Sequence, residues 1–171
     1  LESKGNSPGR QGFFMAVTAD GKMEGSVGGG IMEHKFVELA KERLGEATGH
    51  AQLRKQFHDK TSARDQSGMI CSGEQTIFFY PVKAKDSNTI HQVIASLEQY
   101  NNGALMLSPA GVAFHEAAPL HDYHFDLRSM EDWEYIEKTG YKQKLFIIGG
   151  GHCALAFSKL MRGMDFYISI Y

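Results

Sequence analysis

The sequence predicts an α/β fold on three observations. Strand-like runs and segments at helical spacing alternate through most of its 171 residues. A glycine cluster twice separates a strand-like run from a helical one, at Gly28–Gly30 and at Gly149–Gly151. At 42% hydrophobic, the chain can build one packed core, or one domain and part of a second.

Taken in order, Phe13 to Thr18 is β-prone, Ala19-Asp20-Gly21-Lys22 is hairpin chemistry, and Met23 to Val27 is a short return strand. After the glycines, Met32, Phe36, Leu39, Ala40 and Leu44 fall on one helical face, with Gly45 as the stop. A polar stretch runs to about Gln66. Glu74 to Val82 then reads as a buried strand closed at Pro81, which leaves Ser67 to Gly73 as the loop before it. Ile90, Val93, Ile94 and Leu97 predict a helix that opens at Ser87 or Asn88 and ends at Asn102-Gly103. Two short strands follow around a Pro-Ala-Gly turn in ALMLSPAGVAFHE.

These elements define a first domain over 1–118. The charged and aromatic stretch 119–142 reads as a linker, with Ser129 and Asp132 as a capping box for a short helix through Trp133 and Ile136. A βαβ unit of the Rossmann type opens in 143–171, where Gly149, Gly151 and Ala154 follow the strand-like Leu145 to Ile148. Leu1 in place of Met, and the apolar FYISIY at the other end, lead us to expect further residues at both ends.

Charge and cysteine content narrow the partners. A net charge of −2 with both signs interspersed gives no footprint for nucleic acid and no basic run for a membrane surface. No apolar run approaches the roughly 20 residues that span a bilayer. Cys71 and Cys153 are too few for a disulfide framework, so a cytoplasmic protein with reduced thiols is expected.

Both glycine clusters have the physics of an oxyanion cradle, because unpaired N–H groups and the positive end of the helix dipole meet there. For Gly28, Gly29 and Gly30 the competing reading is a turn that needs positive φ. Glu33, in the first helical turn, reads as a complement to the dipole. For Gly149 and Gly151 the companion feature of a dinucleotide site, an acid about 20 residues on, is not seen, and Asp165 comes too early for it. His152 sits within that turn. Cys71, between Gly68 and Gly73, suits an exposed thiol whose thiolate is favoured by nearby N–H groups, although buried free cysteine is as ordinary. Cys153 reads as a packing residue. His115, Glu116, His121, Asp122, His124 and Asp126 match no metal-ligand spacing and read as solvated.

Four segments, in order, resemble the xanthine dehydrogenase accessory factor (XdhC/CoxI) family: GNSPGR at Gly5 to Arg10, TADGKMEGSVGGGIMEH at Thr18 to His34, SGMICSG at Ser67 to Gly73, and LFIIGGGHCALAFSKL at Leu145 to Leu160. The resemblance implies an N-terminal domain peculiar to that family, followed by the start of a Rossmann-type domain. It implies a chaperone rather than a turnover enzyme, one that binds the molybdenum cofactor (molybdopterin) while a sulfurtransferase installs its terminal sulfur. Such a protein delivers the cofactor to a xanthine dehydrogenase-type hydroxylase and acts as a homodimer.

By the same resemblance the cofactor-binding residues are Ser7, Arg10, Gly28, Gly29, Gly30, Cys71, Gly149, Gly151 and His152. The sequence departs from the family's pattern at Gly9, which is additional, at Ser72, where the family carries Gly, and at Asp165, where it carries a small residue. The alternative is an NAD(P)-dependent oxidoreductase whose first domain supplies substrate contacts.

Overall fold

The computed structural model of the chain describes residues 1–7, 9–45, 51–57, 73–164 and 166–171. Pro8, Cys71, Ser72 and Asp165 lie outside the described residues, as does most of the stretch from Glu46 to Gln66. The chain divides into two compact units. Leu1–Ala84, Ser108–Gly111 and Phe125–Tyr135 form the first, and Lys85–Leu107, Val112–His124 and Ile136–Tyr171 form the second.

In the first unit, β1 (Glu2–Gly5), β5 (Gly73–Phe79) and β4 (Gln52–Phe57) form an antiparallel sheet in the order β1-β5-β4. Glu2 and Lys55 both face Thr76 across the ladders, so the predicted buried strand is the central one. That position accounts for its composition. Gln75 and Thr76 point to opposite faces, yet both are buried, at 5% and 3% exposure, because each face of a middle strand is covered. The predicted hairpin also forms, as β2 (Met15–Val17) and β3 (Met23–Gly25) in the register Met15↔Gly25. Its turn is closed by the Gly21 N–H on the Thr18 carbonyl at 2.9 Å, with Gly21 at φ +83°.

Helix α1 (Gly30–Gly45) begins within the glycine cluster and ends where Gly45 was expected to end it. Its predicted face is only partly buried: Met32 and Phe36 are in the core, while Leu44 is exposed. Phe36 meets Phe79 of β5 edge to face at 5.3 Å, an aromatic pairing that adds about 1 kcal/mol to the area it buries. The Arg43 guanidinium lies 5.7 Å from the centre of the same Phe79 ring.

Beyond a short 3-10 turn at Ala84–Asp86, α2 (Ser87–Glu98) forms as predicted, with Asp86 at its N-cap position. Strands β6 (Gly103–Ser108), β7 (Gly111–His115), β8 (Tyr123–Leu127) and β9 (Trp133–Thr139) make a four-stranded sheet in the order β7-β6-β9-β8.

The helix predicted from Ser129 through Ile136 is therefore corrected to a turn and the strand β9. Its burial alternates, with Trp133, Tyr135 and Glu137 buried and Glu134 and Ile136 less so, which is the period of a strand. The supposed capping box is a turn. The Arg128 and Ser129 N–H groups donate to the Asp132 carbonyl, and the Glu131 N–H donates to Ser129 Oγ.

The βαβ unit is present in the second unit. β10 (Gln143–Ile147) pairs in parallel with β11 (Phe166–Ile170), from Gln143↔Phe166 to Ile147↔Ile170, with α3 (His152–Met161) between them in sequence. Ile147 is buried, whereas Leu155, Phe157 and Leu160 of α3 are exposed.

Candidate functional site

Gly28, Gly29 and Gly30 carry φ of +132°, +80° and +69°, three successive values that side-chain-bearing residues seldom adopt. This path curls the backbone so that its N–H groups point inward at the start of α1. An anion sits among them, and it belongs to the chain. Glu33 Oε1 accepts the Val27 and Gly29 N–H groups, each at 2.9 Å, and the Ser26 hydroxyl. The Gly28 N–H donates to Ser26 Oγ at 3.2 Å. The Ser26 hydroxyl first, and then the backbone N–H groups, hold the Glu33 carboxyl below its ordinary range against the opposing effect of burial. Glu33 thus does more than complement the helix dipole: it fills the turn.

Strand β5 ties this turn to the segment carrying Ser7. Gln75 Nε2 donates to the Val27 carbonyl at 3.3 Å. Gly9, the residue additional to the family pattern, is buried against the same pair, and a Cβ there would collide with both Gln75 Nε2 and the Val27 oxygen. Ser7 is 3% exposed. A Cβ on Gly73 would lie 2.7 Å from the Ser7 backbone nitrogen, so the described end of SGMICSG abuts the Ser7 segment. Gly9 and Val27, the residue before Gly28, thus meet at Gln75, while Ser7 lies beside Gly73 of the same strand. Arg10 is exposed, and Cys71 lies outside the described residues.

Sequence reasoning missed Gln75. The available signal was a glutamine in the middle of a buried strand, since a buried amide needs partners.

The second glycine turn, in the other compact unit, is built differently. Gly149 has φ +104°, and its N–H donates to the Tyr171 carbonyl at 2.6 Å. Gly151 is the N-cap of α3 in extended conformation, with no side-chain cap. A Cβ at Gly149, Gly150 or Gly151 would meet nothing within 4 Å, so the turn is open. His152 and Cys153 open the helix and are exposed. The packing role expected of Cys153 is thus corrected.

Among the described residues, no group of three or more His, Cys, Asp or Glu could hold a metal. Asp122 instead pairs with Lys138 at 3.6 Å, and Asp126 with Arg128 at 3.3 Å. A groove of about 570 Å³ lies between α1 and β4, lined by Lys35, Phe36, Leu39, Arg54 and Gln56 among others.

Gly9 and Val27, which meet Gln75, lie in the N-terminal third of the chain. Residues 1–55 match the XdhC and CoxI family. The resemblance carried by GNSPGR and TADGKMEGSVGGGIMEH is borne out over that span. SGMICSG and LFIIGGGHCALAFSKL lie beyond it. A crystal structure of a xanthine dehydrogenase from Bacillus halodurans is similar in fold, with a TM-score of 0.69 and 19% identity, over 99% of this chain and 55% of that one. The α/β fold is thereby borne out. The chain spans about half the length of that structure's chain. No curated protein matches the chain. Among the described residues, no helix is long and apolar enough to cross a membrane.

Proposed function

We propose that the chain belongs to a cytoplasmic accessory protein that holds the molybdenum cofactor and passes it to a xanthine dehydrogenase-type hydroxylase after a sulfurtransferase has acted on it. One observation carries the reading: residues 1–55 match the XdhC and CoxI family, and within that span Gly9 and Val27, the residue before the triple-glycine turn, pack against one buried glutamine, Gln75. So close an assembly of backbone is costly to keep unless a surface of fixed shape is needed.

In the second unit, the uncapped start of α3, where the Gly150, Gly151 and His152 N–H groups meet the positive end of the helix dipole in open space, has the chemistry that suits a phosphate. The Gly28–Gly30 turn does not fit a phosphate while Glu33 occupies it. When bound, the cofactor supplies a pterin and a dithiolene-held metal. In the first unit, taken by itself, Cys71, Ser7 and Arg10 are the residues proposed to contact the pterin or its metal. The protein works as a homodimer and holds its ligand without turning it over.

The test is the pterin content of the full-length protein, read by fluorescence after oxidation. Retention by the wild type and loss in Cys71→Ala are expected, and equal content in the two removes Cys71 from the site.

A second reading has its own observation, the parallel β10–α3–β11 unit with an open glycine turn, which suits an NAD(P)-dependent oxidoreductase. Titration with NADH and NADPH separates the two. Saturable nucleotide binding without pterin favours the second.

A further inference from the structure

We propose that Glu33 is the resident ligand of the triple-glycine turn, an internal carboxylate that closes this turn to phosphate and other external oxyanions. The turn's backbone is shaped as an oxyanion cradle usually is: with three consecutive positive φ values, the Val27 and Gly29 N–H groups point to one place at the start of a helix, and the Gly28 N–H turns to Ser26 Oγ. At that point lies Glu33 Oε1, with the Val27 and Gly29 N–H groups at 2.9 Å and the Ser26 hydroxyl also bound.

Geometry makes the occupant hard to displace. Glu33 is only four residues from Gly29 on the first turn of α1, so its carboxylate is delivered at high effective concentration and with little entropy left to lose. A free phosphate must compete with that tethered group for the same two N–H groups. It must also leave Glu33 charged beside it. The turn carries the signature of phosphate recognition, yet its donors are already spent on shaping the loop. Gln75 Nε2 donates to the adjacent Val27 carbonyl at 3.3 Å and so ties the turn to β5. This inference concerns the turn alone and does not rest on pterin binding.

The experiment is chemical rescue. Amide NMR follows Val27 and Gly29 in the wild type and in Glu33→Ala, titrated with sodium acetate and with inorganic phosphate, and with sodium chloride as the ionic-strength control. In the wild type neither amide moves beyond the chloride control. In Glu33→Ala, hydrogen exchange at Gly29 quickens by about tenfold or more. Millimolar acetate or phosphate then shifts both amides saturably and slows that exchange again.

Should Glu33→Ala not fold, Glu33→Gln is read in the same way. It keeps the side-chain length and an acceptor oxygen but loses the charge, and shows a smaller quickening with a weaker anion response. An unresponsive Gly29 amide in a folded variant overturns the proposal, and so does a wild-type amide that responds to phosphate as strongly as the variant. Pterin content measured on the same samples is a separate readout.

Discussion

Gln75 Nε2 and the Val27 carbonyl are 3.3 Å apart, so the middle strand of the first unit's sheet grips the residue just before the triple-glycine turn. Because Gly9 is packed against the same two atoms, the sheet, the Ser7 segment and the turn share one contact point.

Gly9→Ala is expected to break that point. The added methyl has no room beside a backbone oxygen and a buried amide, and overpacking of this kind costs about 1 to 3 kcal/mol. Gly150→Ala is the control, because its Cβ would enter open space. The control is expected to stay within about 0.5 kcal/mol of the wild type. Urea unfolding midpoints of the two variants check the contrast.

Glu33 makes the stability of the first unit depend on acid. Its folded carboxyl titrates below the ordinary 4.5, so its contribution is fully present above that value and is lost as pH falls through the lower, folded value. The stability gap between the wild type and Glu33→Gln should therefore be flat from neutral pH down to about 4.5 and shrink below it. Urea unfolding at a series of pH values reads the gap. A gap that grows on acidification would refute the assignment.

Glu137 and Lys142 provide a test in the second unit. Lys142 Nζ donates to Glu137 Oε1 at 2.8 Å and to Tyr123 Oη at 2.6 Å, with the ammonium 4.3 Å from the centre of the Tyr123 ring. Burial alone would lower the lysine's pKa, but the hydrogen bonds to Glu137 and Tyr123 outweigh it and raise it. Glu137→Leu strands the ammonium and should cost about 2 to 3 kcal/mol, less than a fully buried pair because Lys142 keeps some solvent. The double variant Glu137→Leu/Lys142→Met should recover part of that loss, and thermal melts of the three proteins show whether it does.

Much of this fold was legible from local chemistry. Asp20-Gly21 signalled the β2–β3 hairpin, the spacing of Met32 and Phe36 signalled α1, and Leu145 to Ile148 before the glycines signalled the βαβ unit. β9 was not legible, because Ser129 and Asp132 carry the same side-chain chemistry in a turn as in a helix cap. Only the alternating burial of Trp133, Tyr135 and Glu137 separates the two, and burial is a tertiary property.

The site was half legible. The glycines announced positive φ and an anion. That the anion is Glu33 depends on a hydroxyl and two N–H groups converging on one oxygen, which spacing does not state. Gln75 escaped notice for a similar reason, as its partner is 48 residues away.

Whether this protein carries the molybdenum cofactor, as proposed, is read by purifying it from its native host and measuring molybdenum and oxidised pterin per chain. Both are expected, in matching amounts approaching one per chain. Protein free of pterin and molybdenum, isolated from cells that are making a xanthine dehydrogenase-type hydroxylase, would overturn the proposal.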